Sequence, residues 1–176
     1  MPKFDAADLG FLDNKILVYL PFEALDDILK LIEPFKEYRF FVYHDLKNIR
    51  RKENITLCPF SRTGFLKDLE ECCGVMTNAG FELVSEALAL GKKLLLKPLL
   101  GQMEQLSNAL VINNLKLGTV MYKRDRASVA KFLAEPAGTP INYPYTAELI
   151  AEAIDSASWQ DLDTLVKKAW ENVEFL

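Results

Sequence analysis

The chain has 176 residues, half of them hydrophobic, with a formal net charge of −4 and a pI near 5.2. That length and apolar content suit one domain with a real core, expected to span residues 1–176. The acidic balance argues against a nucleic-acid surface, which would be basic.

Residues 1 to 13 read as a polar lead-in, and MPKFDAADLG lacks the positive-then-apolar order of a signal peptide. Lys15 to Leu20, KILVYL, is a nearly continuous apolar run and predicts a strand. Phe22 to Phe35 carries Leu25, Ile28, Leu29 and Ile32 at helical spacing. Strands are expected at Tyr38 to Tyr43 and Asn54 to Cys58, and a short helix at Arg62 to Glu71 with Phe65 and Leu69 inward. A fourth strand follows at Gly74 to Thr77, a helix at Phe81 to Leu90, and a fifth strand at Lys93 to Lys97. A helix over Gly101 to Leu117 and a sixth strand at Thr119 to Tyr122 complete the alternation. Further helices are expected at Ala127 to Ala134, Tyr145 to Ala157 and Trp159 to Phe175, the last with one apolar face through Leu162, Leu165, Val166, Ala169, Trp170 and Val173. Apolar strands alternating with helices predict an α/β fold: a Rossmann-like, doubly wound parallel sheet with extra C-terminal helices. No apolar run approaches the length of a membrane span. Cys58, Cys72 and Cys73 form an odd set without metal spacing, so a reduced, cytoplasmic protein is expected.

In such a sheet ligands bind at the carboxyl ends of the strands. Polar groups gather at two of these ends. The turn Thr77-Asn78-Ala79-Gly80 opens a helix whose free N–H groups suit an anion, with Gly80 allowing close approach. Glu86 lies on that helix opposite Leu83, Val84, Ala87 and Leu88, and could accept both hydroxyl hydrogens of a ribose. Glu82, near the helix start, is read as a charge favoured by the dipole, since a carboxylate beside a diphosphate repels it. One strand later Gln102, Glu104 and Gln105 open the next helix, with side chains suited to sugar hydroxyls. Asn108 is read as a structural hydrogen-bonder. His44 is the single histidine and reads as a loop residue. Asp161-Leu-Asp163 has a metal-binding DxD form but falls in a helical pattern far from these motifs and is discounted.

The stretch Thr77-Asn78-Ala79-Gly80-Phe81, Ser85-Glu86-Ala87-Leu88, Leu90-Gly91-Lys92, Pro98, Gly101-Gln102, Glu104-Gln105 and Asn108-Ala109 resembles the donor-binding half of GT-B glycosyltransferases. The likeness is to bacterial enzymes related to the MurG-type N-acetylglucosamine transferase, and extends to Leu17–Glu23 and Pro59-Phe60-Ser61, covering about residues 15 to 118. The resemblance implies that Asn78, Ala79, Gly80 and Phe81 cradle the diphosphate of a nucleotide sugar, that Glu86 binds the ribose, and that Glu104 and Gln105, with Gln102 a third member, grip the donor sugar. It places the loop with Phe60 and Ser61 beside the base, where Phe60 could pack on a uracil ring or serve the core. The glycine- or serine-rich loop that many such enzymes carry after the first strand is here Leu20-Pro21-Phe22-Glu23, and proline donates no hydrogen bond. Glu23 would oppose a phosphate there but could face a sugar or acceptor.

The resemblance implies no cofactor and no bound metal, the donor being a UDP sugar. It also implies a missing partner: the N-terminal, acceptor-binding half that supplies the base. The expected function is sugar transfer to a hydroxyl, with the chain inactive alone. The alternatives are a natural soluble subunit of a two-part transferase, or a nucleotide-sugar binding module without chemistry. The face of Trp159, Leu162, Val166 and Trp170 is expected to fold onto the domain or to make a homodimer contact.

Overall fold

The computed structural model describes residues 12–144, 146–156 and 161–171. They form two compact units, Met1–Thr139 and Pro140–Leu176.

The first unit is built on a seven-stranded sheet. Its strands are β1 (Leu12–Tyr19), β2 (Arg39–Tyr43), β3 (Arg50–Lys52), β4 (Ile55–Cys58), β5 (Cys72–Thr77), β6 (Lys93–Leu96) and β7 (Thr119–Val120), in the order β3-β4-β2-β1-β5-β6-β7. All neighbours pair in parallel except β3, which forms an antiparallel hairpin with β4. Setting that hairpin strand aside, the order is that of a doubly wound Rossmann sheet. The chain winds outward from β1 to β2 and β4, then returns to lay β5 on the other side of β1, with Tyr19 opposite Thr77. The carboxyl ends of β1 and β5 therefore border the crevice where such sheets bind ligands.

The helices are α1 (Leu25–Ile32), α2 (Arg62–Glu71), α3 (Phe81–Ala89), α4 (Met103–Asn114) and α5 (Arg126–Ala134). Alternate strand residues Ile16, Val18, Phe40, Val42, Met76 and Leu95 pack with Ile28 and Ile32 of α1 and with Val129 and Phe132 of α5. The residues between them face the other side: Lys15 and Tyr19 reach α2, and Leu94 lies against Ile112 of α4 beside Gly118. Both faces are covered, which is why these strands are apolar almost throughout. Gly91 ends α3 in the left-handed conformation, with φ 63°, and Lys92 N–H returns to the Ala87 carbonyl at 2.8 Å.

The sheet also buries three lysines, each answered by a named partner. Lys93 Nζ donates to the Leu133 carbonyl at 2.8 Å and neutralises the C-terminal end of α5. Lys92 Nζ donates to the Glu70 carbonyl at 2.7 Å at the end of α2, and burial lowers its pKa. Lys15 is bound by Asp68 at 2.8 Å and Glu71 at 2.5 Å, both on α2. Lys93 also explains Gly74: a Cβ there would meet Lys93 Cγ at 2.7 Å and Phe132 Cζ at 2.8 Å. Gly74→Ala is expected to cost about 1–3 kcal/mol through overpacking. Urea unfolding measures this, and a midpoint equal to that of the wild type would contradict the packing described.

The second unit contains α6 (Thr146–Asp155) and α7 (Leu162–Trp170), joined by a Lys168–Glu152 ion pair at 3.7 Å. Asp161 caps α7, accepting from Thr164 N at 3.1 Å, and these Thr164 hydrogen bonds hold its carboxyl below the usual carboxylate range. The DxD form is thus a helix start, with Asp163 in the first turn. Leu162 and Val166 are exposed. Trp159, Val173, the first eleven residues and the expected ends of the last two helices at Tyr145, Ala157 and Phe175 lie outside the described residues.

Candidate functional site

The crevice at β1 and β5 is built from the Thr77-Asn78-Ala79-Gly80 turn, and three side-chain bonds fix it to its neighbours. Asn78 is buried and donates from Nδ2 to the Lys97 carbonyl at 2.8 Å, tying the end of β5 to the end of β6. The Ala79 carbonyl accepts from Asn108 Nδ2 at 3.0 Å, tying the turn to α4. Gln105, also buried, accepts at Oε1 from Leu99 N at 3.1 Å and so holds the loop before α4. The starts of α3 and α4 are thereby locked side by side at one edge of the sheet. Asn108 is thus a structural hydrogen-bonder, and it ties α4 to the turn before α3.

What the locked turn leaves open is its polar capacity. Gly80 is the N-cap of α3 and Gln102 the N-cap of α4, and neither helix start receives a side-chain cap bond. Elsewhere Ser61 caps α2, accepting from Gly64 N at 3.2 Å, and Asp125 caps α5, accepting from Ser128 N at 2.7 Å. A Cβ at Gly80 would meet nothing within 4 Å, and φ there is an ordinary −70°. Gly80 therefore borders open space and is not required by the turn's conformation. Asn78 Oδ1 is buried without a hydrogen-bond partner among the described residues, a state that usually signals a missing ligand or water.

The remaining sequence-predicted residues fall around this turn. Glu86 is exposed on α3, six residues after Gly80 and so about 9 Å up the helix axis. Val84, Ala87 and Leu88 are buried on the opposite side. Glu104 and Gln102 are exposed at the start of α4. Phe81 is exposed at the start of α3 and Met103 at the start of α4, and so are Phe22, Phe60 and Leu100 in loops at the same carboxyl edge. Phe60 meets Tyr19 edge-on at 6.1 Å, and Tyr19 meets Phe65, which meets Tyr43. Ser61 serves as the α2 cap.

Glu23 stands out in the sequence, but the two cations that pair with it at the crevice do not. Glu23, after β1, pairs with Lys97, after β6, at 2.5 Å and with Arg124, after β7, at 3.3 Å; Arg124 also holds Asp27. Lys97 ending an apolar strand was the available signal. His44 lies 3.0 Å through Nε2 from the Glu23 carbonyl and braces the same loop. Burial raises the pKa of Cys58 and pushes that of Cys72 up to about 12, so neither thiol is a ready nucleophile. Among the described residues no group of three or more His, Cys, Asp or Glu side chains could hold a metal. No described helix is long and apolar enough to cross a membrane.

Residues 11–136 match glycosyl transferase family 1. The chain belongs to that family. This family-1 chain also shares its fold with solved glycosyltransferases of the GT-B class. It is similar to the glycotransferase of kitacinnamycin and to the spinosyn forosaminyltransferase SpnP, each with a TM-score of 0.55 and 16% identity over 72% of this chain and 36% of theirs. It is likewise similar to the glycosyltransferase SnogD from Streptomyces nogalater, with a TM-score of 0.54 and 18% identity over 69% of this chain and 33% of that one. The family-1 chain thus spans about a third of the length of these structures. No curated protein matches it.

Proposed function

We propose that this chain is the donor-binding half of a GT-B glycosyltransferase and holds a nucleotide diphosphate sugar, UDP-linked, at the carboxyl edge of β1, β5 and β6. The observation that carries this reading is the turn before α3: an uncapped helix start facing open space beside a buried, unanswered Asn78 oxygen. In this reading the diphosphate sits on the N–H groups around Asn78, Ala79, Gly80 and Phe81, where the helix dipole favours negative charge. Glu86 accepts from the ribose hydroxyls, Phe60 and Ser61 border the base, and Glu104 with Gln102 and Gln105 faces the sugar. Gln105 then reaches the sugar only through atoms that its bond to Leu99 leaves available.

The chemistry follows from that placement. The acceptor hydroxyl attacks the anomeric carbon, the bond to the diphosphate oxygen breaks, and the departing charge falls at the α3 N-terminus, a preorganised stabiliser. The base that takes the hydroxyl proton belongs to the N-terminal half, which this reading requires as partner. Phe22, Phe60, Phe81, Leu100 and Met103, apolar and exposed around the crevice, support such a covering partner. The apolar face of α7 at Leu162 and Val166 is assigned to the same partner or to a second copy of the chain. A cytoplasmic location, where nucleotide sugars are held, belongs to the same proposal.

Calorimetric titration with UDP tests the ribose role. Glu86→Ala is expected to weaken UDP binding about tenfold, the worth of a charge-assisted hydrogen bond. Glu82→Ala removes an exposed charge near the phosphates and is expected to leave binding unchanged or tighter. Equal weakening by both changes would contradict the assignment.

A further inference from the structure

Three charged side chains from three strand ends meet beside the turn before α3. Glu23 and Lys97 are 10% and 12% exposed and lie 2.5 Å apart, while Arg124, 41% exposed, holds the other Glu23 oxygen at 3.3 Å. The root of Lys97 is fixed against the turn: its N–H donates to the Thr77 carbonyl at 2.8 Å, and its carbonyl accepts from Asn78 Nδ2 at 2.8 Å. Its ammonium, on a flexible four-carbon stem, is the only part free to change partners. The Asn78 side chain that the Lys97 carbonyl holds is 6% exposed, and its oxygen has no hydrogen-bond partner among the described residues, a second sign that something is received at this turn.

We propose that Lys97 is a phosphate ligand held in reserve by Glu23: when a nucleoside diphosphate settles on the start of α3, the Lys97 ammonium leaves Glu23 for the diphosphate, and Arg124 stays paired with Glu23. This rests on the donor-site reading above and adds the residues that set its affinity. Arg124 makes the exchange feasible. Stranding a carboxylate as buried as Glu23 would be costly, but its second oxygen already has a cation, and Asp27 holds that cation in place. Lysine suits the moving part, because its compact charge and rotatable donors re-form contacts without a fixed fork geometry. Glu23 then competes with the ligand for Lys97 and tunes affinity downward, while the β1 end, with Pro21 and this carboxylate, offers the phosphates no site of its own.

The test is calorimetric titration of the full chain with UDP and with uridine, which lacks the phosphates. Glu23→Gln is expected to tighten UDP about tenfold, and Lys97→Met to weaken it about tenfold, with uridine unmoved by either. The gain should vanish in the double variant Glu23→Gln/Lys97→Met. Arg124→Ala should weaken UDP, because Lys97 is then pinned to Glu23. Lys97→Arg, which keeps the charge and the fold, should also weaken UDP, because its fork holds Glu23 more firmly. UDP binding unaltered in both single variants, or a Glu23→Gln gain that persists without Lys97, overturns the exchange while leaving the donor site intact. A wild-type chain that binds no UDP overturns the donor site and the exchange with it.

Discussion

Lys15→Met is expected to lower the unfolding free energy of this chain by about 3 kcal/mol. Lys15 is 2% exposed on β1, under α2, with Asp68 at 2.8 Å and Glu71 at 2.5 Å. Its ammonium also lies 4.5 Å from the centre of the Phe41 ring, and Asp68 accepts from the Tyr43 hydroxyl at 2.6 Å. Removing only the cation leaves Asp68 charged and mostly buried, the costly way to break such a pair. Removing the buried members together tells a different story. The triple variant Lys15→Met/Asp68→Leu/Tyr43→Phe leaves only Glu71, which is 36% exposed and has Lys67 at 3.8 Å, and should recover to within about 1 kcal/mol of the wild type. Urea unfolding followed by circular dichroism measures both, and a triple variant no more stable than Lys15→Met would contradict this account.

The same network has a pH signature. Burial alone would lower the Lys15 pKa from its ordinary 10.5, but the hydrogen bonds to Asp68 and Glu71 outweigh it and leave it raised. The Lys15 share of stability is therefore complete below 10.5 and is lost as pH rises through the higher folded value. The hydrogen bond from Lys15 holds Glu71 below its ordinary 4.5. That share is complete above 4.5 and is lost as pH falls through the depressed folded value. The advantage of the wild type over Lys15→Met should be flat between about pH 5 and 10 and shrink on both sides.

Gly80→Asp is expected to move stability and binding in opposite directions. The site has ordinary extended dihedrals and open space where a side chain would go. Aspartate there can cap α3, so stability should rise by a few tenths of a kcal/mol over glycine. In the proposed site the same carboxylate stands where the diphosphate must sit. Like charges about 4 Å apart near a protein surface repel by about 4 kcal/mol, so UDP binding should fall at least about a hundredfold. Thermal melts and UDP titration on the same sample read both quantities. A stable variant with wild-type UDP affinity would remove the diphosphate from α3.

The parallel strands were legible because both faces are covered: KILVYL is a nearly continuous apolar run, Leu94 to Leu96 is a short one, and the helices between them keep their period. The hairpin strand β3 was not. Arg50, Arg51 and Lys52 are all exposed on an edge, so no alternation marks them, and the turn that pairs them with β4 rests on Glu53 in a left-handed conformation rather than on a glycine. The start of β1 at Leu12 was missed for a related reason. Its pairing to β5 is irregular between Leu12 and Ile16, outside the apolar run.

At the site, the turn Thr77 to Gly80 and the exposure of Glu86 could be read from spacing, since helical period alone separates Glu86 from Val84, Ala87 and Leu88. Contacts that join distant segments could not. Gln105 reads as a polar helix-start residue, yet its oxygen is engaged by the Leu99 N–H across the loop. Glu23 and Arg124 are 101 positions apart and meet only because β1 and β7 end on the same edge of one sheet. Periodicity carries no such information, so the pairing of Glu23 with Lys97 and Arg124 emerged from the fold alone.

The most direct test of the central claim, that this chain holds a nucleoside diphosphate at the start of α3, is calorimetric titration of the purified chain with UDP, ADP and GDP in parallel, repeated on Gly80→Asp. The account predicts one saturable site per chain, filled by UDP in preference to the others and lost in Gly80→Asp. Binding of none of the three, or binding that survives Gly80→Asp, would contradict it.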